Sequence, residues 1–336
     1  MPSVQEFSVL VVKGNPRFLP KEIIRALEAR TADANVILPF LKKALGSGGS
    51  TLPSLDQVWL CCITRDNGID TVDMVLSCTE NEMGKYPIFI VPTQPLSHWS
   101  LPSLRARLRA LAHALSDTVP RERVYSVFAP DVIVFPFTQL WLELVGVEII
   151  KEPYYSARLL SCTAVIPSPP LAPPLAATSL RPAIASDVEA VARLCFGFAQ
   201  ESGPFFLERE EAIKEATLLI SKEQVWVHCI PGQGIACIAA FTRNTSDMAT
   251  ITKVYTHPSH RGLGYAKQLV REVTRNLLEN NGKRQVVLYV AHNNPSAARV
   301  YESVGFTEPD SGDNSGHSVN WTEVGFDRNR VQLGHW

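Results

Sequence analysis

The stretch His260-Arg261-Gly262-Leu263-Gly264-Tyr265-Ala266 places two glycines between a β-rich run, Met248 to Thr256, and a long amphipathic pattern. A turn at His257-Pro258-Ser259 separates the two, and a helix is expected to begin within the glycines. Such a junction exposes several backbone N–H groups at a helix N-terminus, a site suited to phosphate. Further on, Asn294-Pro295 reads as a helix N-cap followed by proline at the first helical position. Tyr301 follows on that helix, on one face with Ala297. A tyrosine titrates near 10, so its hydroxyl is a neutral proton donor at pH 7.

Elements of definite type must position these groups. The helix after the glycines carries the apolar stripe Leu263, Ala266, Leu269 (or Val270), Val273 and Leu277, which docks it and aims its N-terminus. Upstream, Ser179 to Pro182 opens a strand, and Ser186 or Asp187 caps a helix carrying Val188, Val191 and Leu194. Glu208 to Ile220 reads as a second helix, and Val225 to Ile230 with Ile235 to Thr242 as a hairpin.

Strand, glycine loop, helix, strand and short helix together resemble the cofactor-binding half of the GNAT superfamily, the acyl-CoA-dependent N-acyltransferases. Its loop pattern, Arg/Gln-x-x-Gly-x-Gly/Ala, is matched by Arg261, Gly264 and Ala266. The resemblance implies that the backbone of Arg261, Gly262, Leu263, Gly264, Tyr265 and Ala266 holds the pyrophosphate of acetyl-CoA. It implies that Val254, Tyr255 and Thr256 pair with the pantetheine arm like an added strand. It also places Asn294 as a cofactor contact compatible with its capping role, and Tyr301 by the sulfur as the acid for the departing thiolate. Many members carry a glutamate on the strand before the loop to relay the amine proton. Here that strand offers Thr250, Thr252 and Lys253 instead. Glu201, His228 and Glu302 are conceivable substitutes, and the base stays unassigned.

The first half of the chain repeats the element order without the chemistry. A strand, Phe7 to Val12, precedes helical patterns at Glu22 to Arg30 and Asn35 to Leu45, then three β-like runs, Val58 to Thr64, Val72 to Cys78 and Tyr86 to Val91. Leu101 to Ser116 reads as a helix on a stripe of Leu104, Leu108, Leu111 and Leu115, with Arg105, Arg107 and Arg109 on a solvated face. A strand at Arg123 to Phe128 and a helix at Phe137 to Val145, after Pro136, follow. Setting Val145-Gly146-Val147 over Val304-Gly305-Phe306 aligns the closing elements of both halves and puts Leu142 over Tyr301. Where the second half has its glycine loop, the first has Pro92-Thr93-Gln94-Pro95-Leu96-Ser97-His98-Trp99-Ser100, without a glycine.

The expected fold is therefore α+β (mixed α/β): two tandem GNAT-like domains, each a mixed, mostly antiparallel sheet flanked by helices, the first degenerate. The arrangement is similar to glycine N-acyltransferase-like proteins. The expected boundaries are 1–164 for the first domain, 165–178 for a linker rich in proline (Pro167, Pro169, Pro170, Pro173, Pro174) and 179–336 for the catalytic domain.

Composition narrows the partners. At 46% hydrophobic and 19% charged residues the chain reads as an ordinary globular protein, and a net charge of −1 offers no polybasic handle for nucleic acid or a membrane surface. No apolar run approaches the roughly 18 residues of a membrane span, and the N-terminus does not read as a signal peptide. Seven cysteines without a CxxC pair suggest free thiols and a cytoplasmic location. The histidines show no ligand spacing, so no metal is expected. The favoured reaction is direct acetyl transfer to a small-molecule amine or amino acid. A protein N-terminus or lysine, and a non-catalytic acyl-CoA-binding regulator, are the other readings. Oligomeric state is left open.

Overall fold

The computed structural model describes residues 6–46, 57–167, 178–309 and 319–334. The chain divides into two units: Met1–Arg158 with Asp310–Trp336, and Leu159–Pro309. The first unit opens with β1 (Glu6–Lys13), α1 (Lys21–Glu28), α2 (Leu38–Gly46), β2 (Val58–Asp66) and β3 (Ile69–Cys78). A small hairpin, β4 (Glu80–Asn81) with β5 (Gly84–Lys85), leads to β6 (Ile88–Pro92), α3 (Leu101–Ser116), β7 (Ser126–Pro130) and α4 (Asp131–Val145). β8 (Tyr155–Cys162) begins in the first unit and ends in the second.

The second unit continues with β9 (Ser179–Pro182), α5 (Val188–Gln200), α6 (Arg209–Ser221), β10 (Val225–Ile230), β11 (Gly234–Asn244) and β12 (Met248–Thr256). Then come α7 (Tyr265–Arg275), β13 (Gln285–Ala291) and α8 (Pro295–Val304), and β14 (Asn320–Gly325) closes the described chain. Strand order is β1-β2-β3-β6-β7-β14-β8 in the first unit and β8-β13-β12-β11-β10-β9 in the second. The pairs β1–β2, β2–β3, β3–β6, β7–β14, β14–β8, β12–β11, β11–β10 and β10–β9 are antiparallel, and β6–β7 and β12–β13 are parallel. These are the mixed, mostly antiparallel sheets with flanking helices that the sequence implies.

The internal repeat is visible in this order: β1, β2, β3, β6 and β7 stand in their sheet as β9, β10, β11, β12 and β13 stand in theirs. Gly146 and Gly305, aligned in the sequence, end α4 and α8.

The C-terminal segment departs from the expected boundaries. The expected 179–336 domain includes β14, yet this strand pairs antiparallel with β7 (Trp321↔Pro130 to Gly325↔Ser126) and with the start of β8 (Asn320↔Arg158 to Glu323↔Tyr155). Val324 and Phe326 are buried in the first unit's core, and the Trp321 ring packs 5.4 Å from that of Phe128. Side chains that bury there hold the strand there, whatever their place in the sequence. Of the linker expected at 165–178, residues 168–177 lie outside the described residues.

Two further expectations are corrected in the first unit. Arg107 is not on a solvated face: it is 2% exposed, and its Nε donates to Asp73 Oδ2 at 2.7 Å. Its Nη2 donates to Thr64 Oγ1 at 2.7 Å, and the guanidinium lies 4.9 Å from the centroid of the Phe7 ring. α4 starts at Asp131 and runs through Pro136 rather than beginning after it. Ile133, Val134, Phe137 and Trp141 are fully buried, and this packing outweighs the roughly 3 kcal/mol that an interior proline costs.

Candidate active site

β12 is the element from which the site is built. Against β11 it pairs along its whole length, from Asn244↔Ala249 to Cys237↔Thr256. Against β13 the parallel ladder covers only Met248↔Gln285 to Ile251↔Leu288, although β13 continues to Ala291. At the same place the β11 register slips: Phe241 faces Ile251 and Ala240 faces Lys253, leaving Thr252 as the extra residue of a bulge. The bulge exchanges the faces of the strand. Before it, Ala249 and Ile251 lie in the core with α7; after it, Val254 packs against that core and Lys253 and Tyr255 turn toward α5 and α6.

Backbone direction follows by alternation. His257 N–H donates to Ala236 C=O of the β11 side at 2.9 Å, so Tyr255 also faces β11, and the polar groups of Val254 and Thr256 face away from it. The ladder offers them no partner on β13. The Thr256 carbonyl accepts from Arg261 Nε at 3.1 Å, leaving the Val254 N–H and C=O as the exposed edge.

The glycine loop follows a short turn at Pro258–His260. Gly262 (φ 77°) and Gly264 (φ 80°) both adopt the left-handed conformation, which costs other residues roughly 1–2 kcal/mol. Gly264 is the N-cap of α7 and no side chain caps that end, so its first-turn N–H groups remain available. The helix is anchored by Leu269, Val270 and Val273, all fully buried, and Ala266 packs against the same core. Leu263 is exposed. The Tyr265 side chain is buried and serves as an anchor; only its backbone N–H can face a ligand.

His228 explains that anchor. Its Nδ1–H donates to the Tyr265 carbonyl at 3.3 Å and its Nε2 accepts from Thr178 Oγ1 at 2.7 Å. Both ring nitrogens are engaged, and burial lowers its pKa, so this histidine is a neutral structural link and not the base. Glu302 is exposed beside the buried Tyr301. Asn294 Oδ1 accepts from Ala297 N–H at 3.0 Å, which is the capping role expected of it.

Tyr301 lies in the α7–α8 core, with its ring 6.1 Å from Phe306 in an edge-on arrangement. Its hydroxyl makes no hydrogen bond to another of the described residues. Burial, and then the nearby Cys237, push its pKa well above the tyrosine range, so it keeps its proton at neutral pH. Cys237 accepts from Thr256 Oγ1 at 3.1 Å, and burial pushes its thiol up to about 12. Tyr301 thereby shares its surroundings with the end of β12.

On the other face of β12 lie two carboxylates, Glu201 and one that spacing alone does not single out, Glu215. Lys253 Nζ donates to both oxygens of Glu215 at 2.6 and 2.7 Å, with both side chains largely buried, and lies 5.0 Å from the Phe198 centroid. Glu215 was legible in principle, since it falls on the same inward face of α6 as Ala212, Ala216 and Leu219. Glu201, just past the end of α5, accepts from the Tyr255 hydroxyl at 2.8 Å and from Arg261 Nη2 at 2.7 and 2.8 Å. The Arg261 guanidinium holds the Glu201 carboxyl below the usual carboxylate range, opposite to what a base poised near neutrality needs.

The corresponding place in the first unit lacks the glycine turn. β6 pairs with β7 only at Ile88↔Val127 and Phe89↔Phe128, but the chain then runs through Pro92 and Pro95, and Ser100 Oγ caps α3 by accepting from Ser103 N–H at 3.4 Å. Thr93 Oγ1 and Gln94 Nε2 both donate to the Val72 carbonyl. No left-handed glycine opens this turn, and Leu142 stands where the second unit has Tyr301.

With this geometry in view, the likenesses to known proteins are informative. Residues 187–306 match the family described as the Acetyltransferase (GNAT) family. No curated protein matches the chain significantly in sequence. Among solved structures, a GCN5-related N-acetyltransferase from Sphaerobacter thermophilus is similar over 97% of each chain at 15% identity, with a TM-score of 0.55. A Drosophila protein is similar over 95% of this chain and 99% of its own at 12% identity, with a TM-score of 0.62. A GNAT-family acetyltransferase from Colwellia psychrerythraea shares 11% identity over 95% of this chain and 99% of its own, with a TM-score of 0.50. At these identities the likeness is one of fold: mixed α/β domains of the GNAT type.

Proposed function

We propose that the second unit binds acetyl-CoA and directs its acetyl group to a primary amine in a ternary complex, without a covalent enzyme intermediate. One observation carries the reading: the β12–β13 ladder ends at the Thr252 bulge, leaving the Val254 edge open beside the uncapped N-terminus of α7. An open strand edge suits the amide groups of a pantetheine arm, and left-handed glycines before a free helix N-terminus suit a pyrophosphate, so the residues present fit this co-substrate. The N–H groups from Arg261 to Ala266 would hold the phosphates, and Val254 to Thr256 the arm. When bound, the co-substrate supplies an activated thioester and a thiol leaving group.

The chain's own groups then have defined tasks. The Val254 N–H, pointing away from β11, polarises a carbonyl placed at the open edge. The protonated Tyr301 hydroxyl supplies a proton to a departing thiolate. An alkylammonium must first lose a proton, which costs about 4–5 kcal/mol at pH 7. No single side chain of β12 takes this role, since Thr250 and Thr252 are not basic and Lys253 is paired. Support for a small amine or amino acid comes from the face of β12 that α5 and α6 cover: Lys253 is tied to Glu215, and the Tyr255 ring lies against Gly197.

The test is release of free thiol from acetyl-CoA in the presence of a panel of amines, amino acids and peptides. Amine-dependent release with a small amine is the expected result. Release only with peptides would replace the substrate class, and CoA binding without release would make the protein a binding module.

A further inference from the structure

We propose that Glu201 is a positioning residue that competes with the cofactor's pyrophosphate for Arg261, and so couples cofactor entry to the end of α5. This rests on the reading above that the loop Arg261 to Ala266 seats a pyrophosphate. Arg261 opens that loop, yet its side chain is folded away from the glycines. Nη2 grips both oxygens of Glu201, and Nε donates to the Thr256 carbonyl. The guanidinium lies 5.2 Å from the Tyr255 ring centroid, and the Tyr255 hydroxyl donates to the same carboxylate at 2.8 Å. At position 197 a Cβ would come within 2.8 Å of the Tyr255 ring, so this glycine lets the ring rest against α5. One carboxylate thus ties together the end of α5, the end of β12 and the first residue of the loop.

The ion pair is half-exposed, with side chains 46% and 49% accessible. Exposed pairs of this kind are weak and yield readily to a competing anion. A pyrophosphate is a stronger partner for a guanidinium than one carboxylate, and the N–H groups beside Arg261 would hold it in place. Transfer of Arg261 to the phosphates leaves Glu201 with Tyr255 alone. The end of α5 loses one of its two ties to the far side of the site, and the face of β12 that α5 covers loosens after the cofactor has entered.

The test uses the full chain and CoA itself as the probe. Glu201→Gln keeps the size of the side chain and removes the competing charge; it is expected to bind CoA about 3–10-fold more tightly by calorimetry. A merely structural role would weaken binding instead. In an Arg261→Gln background the gain is expected to vanish, because the two residues act on one contact; a gain that persists there is a general charge effect and overturns the proposal. Hydrogen exchange of residues 198–208 is expected to rise when wild-type protein binds CoA, and to be already raised and unresponsive in Glu201→Gln. Equal CoA affinity of wild type and Glu201→Gln defeats this inference alone, whereas no CoA binding by wild type defeats the proposed function and the inference with it.

Discussion

Asp73→Ala is expected to destabilise the first unit by about 3–5 kcal/mol, because it strands the Arg107 charge in the core. Asp73 and Arg107 are 4% and 2% exposed, so water cannot take over the lost partner. Thr64 is drawn into the same contact, since its Oγ1 both donates to Asp73 and accepts from Arg107. Urea unfolding followed by tryptophan fluorescence reads this unit well: Trp59, Trp141 and Trp321 are almost fully buried there. Replacing both partners at once, Asp73→Leu with Arg107→Met, is expected to recover most of the loss, because no unpaired charge is left behind. A single-variant loss below about 1 kcal/mol would show that the pair is not the electrostatic anchor described above.

Tyr301→Phe is expected to lower kcat about 100-fold while leaving CoA affinity within about 3-fold. The phenyl ring keeps its place against Phe306, and the deleted hydroxyl makes no hydrogen bond to another of the described residues, so neither packing nor such a bond is sacrificed. What disappears is a proton donor, whose contribution is typically 10²–10⁴-fold. A 100-fold loss corresponds to about 2.7 kcal/mol of barrier. Steady-state kinetics with the preferred amine, alongside a CoA titration, separates the two effects. Unchanged kcat would remove Tyr301 as the acid and leave it as a core aromatic.

Much of this layout was legible in local sequence, and the exceptions have a common cause. α3 (Leu101–Ser116), β10 (Val225–Ile230) and β12 (Met248–Thr256) have the limits that their periodicity and punctuation imply. The glycine loop was equally plain, because a left-handed backbone before a helix leaves glycine at positions such as 262 and 264. Features decided by distant contacts were not visible. Arg107 looked solvated because its partner, Asp73, lies on another element. The Thr252 bulge depends on how β11 registers with β12, and nothing in a run of β-formers announces the extra residue. β14 takes its partners, β7 and β8, through burial of Trp321, Val324 and Phe326, which no local pattern specifies. Glu201 looked like a possible base because it is acidic; the contacts that make it a poor one come from Tyr255 and Arg261.

In the proposed complex the open edge of β12 and the N-terminus of α7 together seat the acyl carrier. A structure of the protein with CoA tests it most directly. Pyrophosphate oxygens are expected on the N–H groups between Arg261 and Ala266, the pantetheine arm along Val254 to Thr256, and the sulfur within reach of the Tyr301 hydroxyl. CoA bound with its phosphates elsewhere, or with Val254 to Thr256 uncontacted, would contradict it.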